Sequence, residues 1–212
     1  MDGTLRLAVG VLLLGGLAHA AQGVDRDSAK RVDPATVVRG TFLDRRDQAS
    51  YPTVAIGSQT WMARNLNFAS AGSSCYEHGP ARCGIYGRLY NWEAARRACP
   101  DGWHLPTDLE WTALVVAAGG SGAAGAKFKS TGGWDADGDG TDLYGFQALP
   151  GGSRDKNGNY ANLGTNAFFW SVSAVSAESA WYRGLGWASD VVDRNFDYQE
   201  DGFSVRCVKN SP

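Results

Sequence analysis

Histidine is scarce in this chain. There are three in 212 residues, and one of them, His19, falls in the apolar leader. His78 and His104 remain, and no C-x-x-C pair stands near them, so the pattern does not support a zinc centre. Charge of one sign is lacking too: the net charge is −2, with no basic cluster, which argues against nucleic acid as a partner. No serine sits in a G-x-S-x-G elbow, no H-E-x-x-H occurs, and there is no Walker glycine loop. Carboxylates are plentiful, but spacing alone places no pair at a glycosidase separation. No apolar run is long enough to span a bilayer as an ordinary helix.

The longest apolar run is Leu7 to Leu17 (LAVGVLLLGGL), followed by Ala18-His19-Ala20-Ala21. A short apolar core before small residues at alternate positions is the layout of a signal peptide, so residues 1–20 are expected to be removed on export. Asp2 offsets Arg6, and a retained apolar anchor is the alternative. Residues 21–38 are polar, contain Pro34, and read as a linker. The folded part is expected over residues 39–209, with 210–212 as a tail. An exported protein is secreted or held outside the cytoplasm, in the periplasm or at the cell surface. No membrane span is expected once the leader is gone.

Export makes the cysteines legible. There are four, at Cys75, Cys83, Cys99 and Cys207, an even number for an oxidising compartment. They allow three pairings. The economical one is Cys75–Cys83 as a loop clip and Cys99–Cys207 as a long staple. In the chain-entropy model these contribute about 2.5 and about 4.8 kcal/mol.

Glycine is abundant at 28, and tryptophan and tyrosine number eight each. That mixture predicts short strands, tight turns and long structured loops. Residues 53–56 and 59–62 read as a hairpin about Gly57. Tyr90 to Ala98 reads as a helix capped by Asn91, with Trp92, Ala95 and Arg96 on one side. A second helix starts at Thr107, where T-x-x-E forms a capping box with Glu110. Trp111, Leu114, Val115 and Ala118 make one buried stripe, and Gly119-Gly120 ends it. No helix signal recurs after Gly120, and strands are expected at 168–171, 180–183 and 203–206. The fold class is α+β, with two helices, short antiparallel strands and long loops.

Between the two helices lies "ACPDGWHLPTDLEW", where Cys99, His104, Asp108 and Glu110 could pass for an active site. The residues favour a corner instead. Pro100-Asp101-Gly102 is turn chemistry, Trp103 and Leu105 would enter the core, and His104 would be a hydrogen-bonded loop residue. The stretch "YNWEAARRACPDGWHLPTDLEWTAL" resembles the two-helix segment of C-type-lectin-like domains, and "GFSVRCV" resembles their last strand. The resemblance implies the Cys99–Cys207 pairing. More closely, "GTFLDRRDQASYPTVAIGSQTWMARNLNFAS", "CGIYGRLYNWEAARRACPDGWHLPTDLEW", "GTDLYGFQALPGG" and "FFWSVSAVSAESAWYRGL" resemble the Fibrobacter succinogenes major paralogous domain family over residues 39–209. Retroelement variable proteins and formylglycine-generating enzymes are similar more remotely. A formylglycine-generating activity would need a reactive cysteine pair, and all four cysteines here have structural explanations.

Two segments carry candidate chemistry. In "WDADGDGTD", Asp135, Asp137 and Asp139 alternate as in a calcium loop, Gly140 permits the curl, and Asp142 offers a fourth ligand. No glutamate stands at the twelfth position, so this is not an EF-hand, and calcium, if bound, would be structural. The alternative is a plain Asp/Gly turn. From Trp181 to Asp201, aromatic, Asp, Asn and Arg residues alternate in a region that presents the ligand face in lectin-like folds. Trp181 and Tyr182 read as core. Trp187, Asp190, Asp193, Asn195, Asp197 and Tyr198 are the candidate ligand residues. The expected function is an exported, non-enzymatic ligand-binding or surface-display module for a cell-surface glycan or protein. It requires no cofactor. The alternative is a structural envelope protein without a discrete ligand.

Overall fold

The alternating run before Gly57 forms a hairpin because Gly57 takes φ 62°, a left-handed conformation that glycine adopts without strain. The structure, a computed structural model, describes residues 31–211. In chain order the first half contains β1 (Val38–Asp44), β2 (Ala49–Ile56), β3 (Gln59–Met62), β4 (Ser73–Ser74), α1 (Pro80–Tyr86), β5 (Leu89–Tyr90), α2 (Trp92–Ala98), β6 (Trp103–His104), α3 (Asp108–Ala117) and α4 (Ser121–Phe128). The second half contains β7 (Gly151–Arg154), β8 (Tyr160–Leu163), β9 (Asn166–Ala174), β10 (Ser179–Gly186), β11 (Val192–Tyr198), β12 (Phe203–Ser204) and β13 (Val208–Lys209). The fold is α+β. One sheet runs β1-β2-β3-β13-β6, and a larger one runs β11-β10-β9-β12-β5-β4 with the β7–β8 hairpin attached to β9.

The two faces of the larger sheet bury different cores. On one side Phe169, Leu185 and Val192 join Trp61, Trp111, Leu114, Val115 and Phe128 beneath α3 and α4. On the other, Trp170, Ala180 and Phe203 join Tyr51, Met62, Trp92, Ala95 and Trp103 beneath α2. Trp61 and Trp111 lie 4.8 Å apart, centroid to centroid, and fix the first core at its centre.

The corner forms as its residues dictate. Gly102 takes φ 81°, the Trp103 amide donates to the Pro100 carbonyl at 2.9 Å, and Trp103 and Leu105 are buried. Thr107 and Glu110 close a reciprocal capping box at the start of α3. His104 bridges Glu110 (Nε2 to Oε1, 2.8 Å) and Asn210 (Nδ1 to Oδ1, 2.7 Å). Both disulfides pair as expected, Cys75–Cys83 and Cys99–Cys207.

Three expectations change. Among the described residues there are four α-helices, not two, because α1 and α4 also form. Helix α4 carries Gly122 and Gly125, which lower its intrinsic propensity, yet Gly125 is required: a Cβ there would stand 2.5 Å from the Asp190 carbonyl oxygen. Residues 192–198, outside the expected strands, form β11, because pairing with β10 overrides the poor strand propensity of Asp and Asn. On α2, Arg96 shares the side of Trp92 and lies over its ring at 4.6 Å while staying exposed. Within the stretch read as linker, Val32 donates to the Ala117 carbonyl at 2.8 Å, and Val32 and Val37 pack on the first core. The leader and residues 21–30 lie outside the described residues.

One buried group joins the layers. Arg206 is fully buried in the last segment, between Val205 and Cys207. Its Nε and Nη2 donate to Asn65 Oδ1 at 3.2 and 2.6 Å. Its Nη1 donates to the Met62 carbonyl at 3.2 Å and to the Phe146 carbonyl, and Nη2 to the Gln147 carbonyl at 3.1 Å. The guanidinium stacks on Phe146 at 4.4 Å. Burial pushes its pKa down to about 9, which leaves it protonated at neutral pH.

Replacing Arg206 with Met strands two buried carbonyls, the partly buried Gln147 carbonyl and the Asn65 oxygen at once. The expected loss is about 3–5 kcal/mol, from several acceptors left unpaired at about 1–3 kcal/mol each, measured by urea unfolding with the disulfides intact. A loss under about 1 kcal/mol would show that these acceptors find water instead.

Candidate functional site

Strand β11 ends the larger sheet and pairs with β10 from Leu185↔Val192 to Ser179↔Tyr198. The two-residue period of a strand divides its side chains between faces. Val192, Arg194 and Phe196 share the face of α3, and Asp193, Asn195 and Asp197 share the other. On the α3 side the arrangement is a clamp. Asp108, the first residue of α3, receives Arg183 at 2.6 Å and Arg194 at 2.9 Å, and Arg194 covers the Trp181 ring at 3.5 Å. Both guanidinium groups hold the Asp108 carboxyl below the usual carboxylate range, against the upward pull of burial. This is an architectural contact that fixes the start of α3 to the sheet.

The opposite face is open at β10 and β11, because α2 covers only the strands beyond them. Tyr182 and Phe168 are half-buried there, with ring centroids 5.6 Å apart, and Phe203 lies 4.9 Å from Tyr182. Asn195 stands directly across from Tyr182, and Asp197 across from Ala180. Asp193 and Phe168 both border Gly184. Asp201, in the turn before β12, is 7% exposed. The result is an aromatic ledge rimmed by Asp193, Asn195, Asp197 and Asp201. Burial raises the Tyr182 phenol pKa, and the negative charges of Asp197, Asp193 and Asp201 raise it further. Burial, then the neighbouring Asp197 carboxyl, pushes Asp201 up to about 6.

The structure brings together three of the six candidate ligand residues, Asp193, Asn195 and Asp197. Tyr198 is exposed at the end of the strand, where Lys156 Nζ lies 4.0 Å over its ring. An open hollow of about 360 Å³ lined by Lys156, Ala177, Glu178, Tyr198, Gln199 and Glu200 adjoins it. Trp187 and Asp190 sit elsewhere, in the turn between β10 and β11. Trp187 packs against Gly138, and the Asp190 carbonyl accepts from the Gly125 amide at 2.8 Å. Sequence reasoning missed Tyr182, Phe168 and Asp201. Tyr182 read as core, and only the β10–β11 register reveals that it faces Asn195. Asn195 and Asp197 also act locally: their Oδ1 atoms accept the Phe196 and Tyr198 amides, each at 2.9 Å, along the sheet edge.

The expected calcium set is not assembled. Among the described residues, no group of three or more His, Cys, Asp or Glu is placed to hold a metal ion. Asp139 Oδ1 caps the Trp134 amide at 3.0 Å, Asp142 Oδ1 accepts the Gln147 amide at 2.7 Å, and Asp135 lies against Gly164. The glycines have packing reasons: a Cβ on Gly138 would meet Trp187 at 2.7 Å, and one on Gly140 would meet the Ala126 carbonyl at 2.5 Å. Positive charge comes from Lys129, which is 2% exposed and donates to the Gly186, Trp187 and Ser189 carbonyls at 3.4, 3.3 and 3.1 Å.

Two measurements follow from this geometry. Asp201 keeps its proton in the folded state to about pH 6, whereas a free aspartate releases it near its model value of 3.8. The folded state therefore binds more protons across that window, and this group's contribution to stability falls as pH rises through it. Asp201→Asn is expected to gain stability relative to the wild type between pH 4 and pH 7, read from urea midpoints. An unchanged difference would show Asp201 ionised throughout. Millimolar calcium is expected to leave the melting temperature unchanged. A rise that Asp137→Ala with Asp139→Ala abolishes would show that the loop rearranges to gather its carboxylates.

Two disulfides, which belong to oxidising compartments, point to a location outside the cytoplasm. Among the described residues, no helix is long and apolar enough to cross a membrane. Similarity searches found no match among curated proteins or solved structures. The family model described as the Fibrobacter succinogenes major domain matches residues 54–209, spanning the strand pair, the helices, the ledge and the final strand. The chain belongs to the Fibrobacter succinogenes major domain family.

Proposed function

We propose that this chain is an exported, non-enzymatic binding module that displays its β10–β11 face to a glycan at the cell surface. The observation that carries the reading is the ledge: half-exposed rings of Tyr182 and Phe168 beside the exposed Asp193 and Asn195. Ring faces offer contact area to the C–H faces of a sugar at modest entropic cost. Carboxylate and amide oxygens around them accept hydrogen bonds from sugar hydroxyls. The C-type-lectin-like resemblance points to the same end of the chain. Both cysteine pairs are oxidised, with no free cysteine among the described residues, which supports a role other than formylglycine chemistry.

A glycan array tests this directly. The wild type is expected to retain a restricted set of saccharides, and Asp193→Ala with Asn195→Ala to lose them about tenfold or more while melting at the same temperature. An array without any hit would favour the structural envelope role. Hydrolysis of a retained glycan, abolished by one Asp substitution, would instead make the protein an enzyme.

A further inference from the structure

Sheet edges on this molecule are mostly short or closed. Strands β4 and β6 span two residues each, and β8 spans four with Asn162 in the left-handed region at φ 65°. Strand β11 caps two of its own amides with Asn195 and Asp197. Strand β1 differs. It runs seven residues in unbroken register with β2, from Val38↔Ala55 to Asp44↔Ala49, and no described strand pairs with its other edge. Pro52 reveals which way its backbone groups point. The Pro52 carbonyl accepts the Ala63 amide at 2.7 Å on the β3 side, so the flanking Tyr51 and Thr53 turn toward Phe42 and Gly40 of β1. The amides and carbonyls of Arg39, Thr41 and Leu43 therefore point away from β2. Among the described residues no backbone group bonds to them, and all three residues are exposed. Val38 and Leu43 are 68% and 50% exposed along the same strand. An edge this long and unprotected is a template for another strand.

We propose that the partner of this edge is a second copy of the chain, with β1 pairing antiparallel to β1 about a two-fold axis at Thr41. The strand is self-complementary in that register. Arg39 faces Leu43 of the second copy, and its aliphatic stem covers that apolar side chain. Phe42, whose ring lies 5.1 Å from Trp103, faces Gly40 of the second copy, where no side chain competes for the space. Val38 of the second copy faces Asp44, beside an open hollow of about 510 Å³ lined by Phe42, Asp44, Pro100 and Asp101. No like charges meet, and Asp44 is already paired with Arg46 at 2.7 Å. The outward amides and carbonyls of Arg39, Thr41 and Leu43 then satisfy one another, in about six main-chain hydrogen bonds. Centred on Phe42 instead, the two strands would set Arg39 opposite Arg45. The contact is isologous, so it closes at two copies. It is independent of the glycan reading, because β1 belongs to the smaller sheet and the ledge to the larger.

Sedimentation velocity of the full exported chain over a concentration series tests the pairing. A single strand pair is smaller than a standard interface, so a reversible dimer with a Kd of about 10–100 μM is expected. Hydrogen exchange locates it: the Arg39, Thr41 and Leu43 amides are expected to gain protection as concentration rises, while Gly40 and Phe42, bonded to β2, stay protected throughout. Thr41→Lys sets two cations face to face across the axis and is expected to weaken the dimer about fivefold or more. Thr41→Glu does the same with two anions. Thr41 is exposed, so both variants should melt as the wild type does in dilute solution. Mixed together, the Lys and Glu variants are expected to recover the dimer as a heterodimer, which only a register that opposes Thr41 to itself produces. A monomer at every concentration overturns the proposal, whether its edge amides exchange freely or are already covered by residues 21–30. A dimer that leaves the exchange of Arg39, Thr41 and Leu43 unchanged overturns it as well, as do Lys and Glu variants that fail to recover each other.

Discussion

The Arg206 guanidinium is the group on which the rest of the architecture depends. All of its donors are spent on acceptors from two separate segments: Met62 at the end of β3 with Asn65 just beyond it, and Phe146 and Gln147 after the glycine-rich loop. Those segments have little regular structure of their own, so their carbonyls need a donor once water is excluded. Asn65 passes the connection on, donating to the Tyr86 carbonyl at 2.8 Å. A charged-to-neutral hydrogen bond is stronger than a neutral pair, and five together fix where the long loops lie over the core. The Cys99–Cys207 disulfide begins one residue later and pins the same segment to the end of α2. The staple limits how far the unfolded chain can spread, whereas the guanidinium selects one packing of the loops.

From that anchor the open face follows. The segment containing Arg206 leads back through Phe203, whose ring lies 4.4 Å from Trp170 and 4.9 Å from Tyr182. It therefore sets the floor beneath the ledge. On the far side of the sheet, the Asp108–Arg183–Arg194 clamp holds α3 against β10 and β11. One face of these two strands is thus occupied by a helix and its ion pairs, and the other is left to solvent. Residues of the open ledge and architectural residues alternate along the same seven positions of β11, so a change of register by one residue would exchange them.

Legibility in the sequence followed the range of the interactions. The capping box at Thr107 and Glu110, the Pro100–Gly102 turn and the hairpin about Gly57 are written within a few residues, and all three form as read. The disulfides were legible because four cysteines permit few pairings and the resemblance favoured one. Helix α4 was hidden by its glycines, which serve close contacts with Asp190 rather than helix propensity. Strand β11 was hidden because Asp, Arg and Asn are poor strand formers, and only the partner β10 makes them one. The role of Arg206 is not legible in the strand expected at 203–206, since its acceptors, three backbone carbonyls and the Asn65 side chain, lie 59 to 144 residues away, which no local pattern encodes. The ledge was half legible for the same reason: Asp193, Asn195 and Asp197 alternate visibly, while Tyr182 and Asp201 join them only through the sheet.

A strand at the rim of a sheet normally presents unsatisfied amides on which a neighbouring chain can pair. On β11 the outward amides of Phe196 and Tyr198 are already taken by the side chains of Asn195 and Asp197. At these two positions the rim is capped by its own residues. An edge blunted in this way is a poorer template for a further strand, so β11 can carry an open face without recruiting another chain at those two positions.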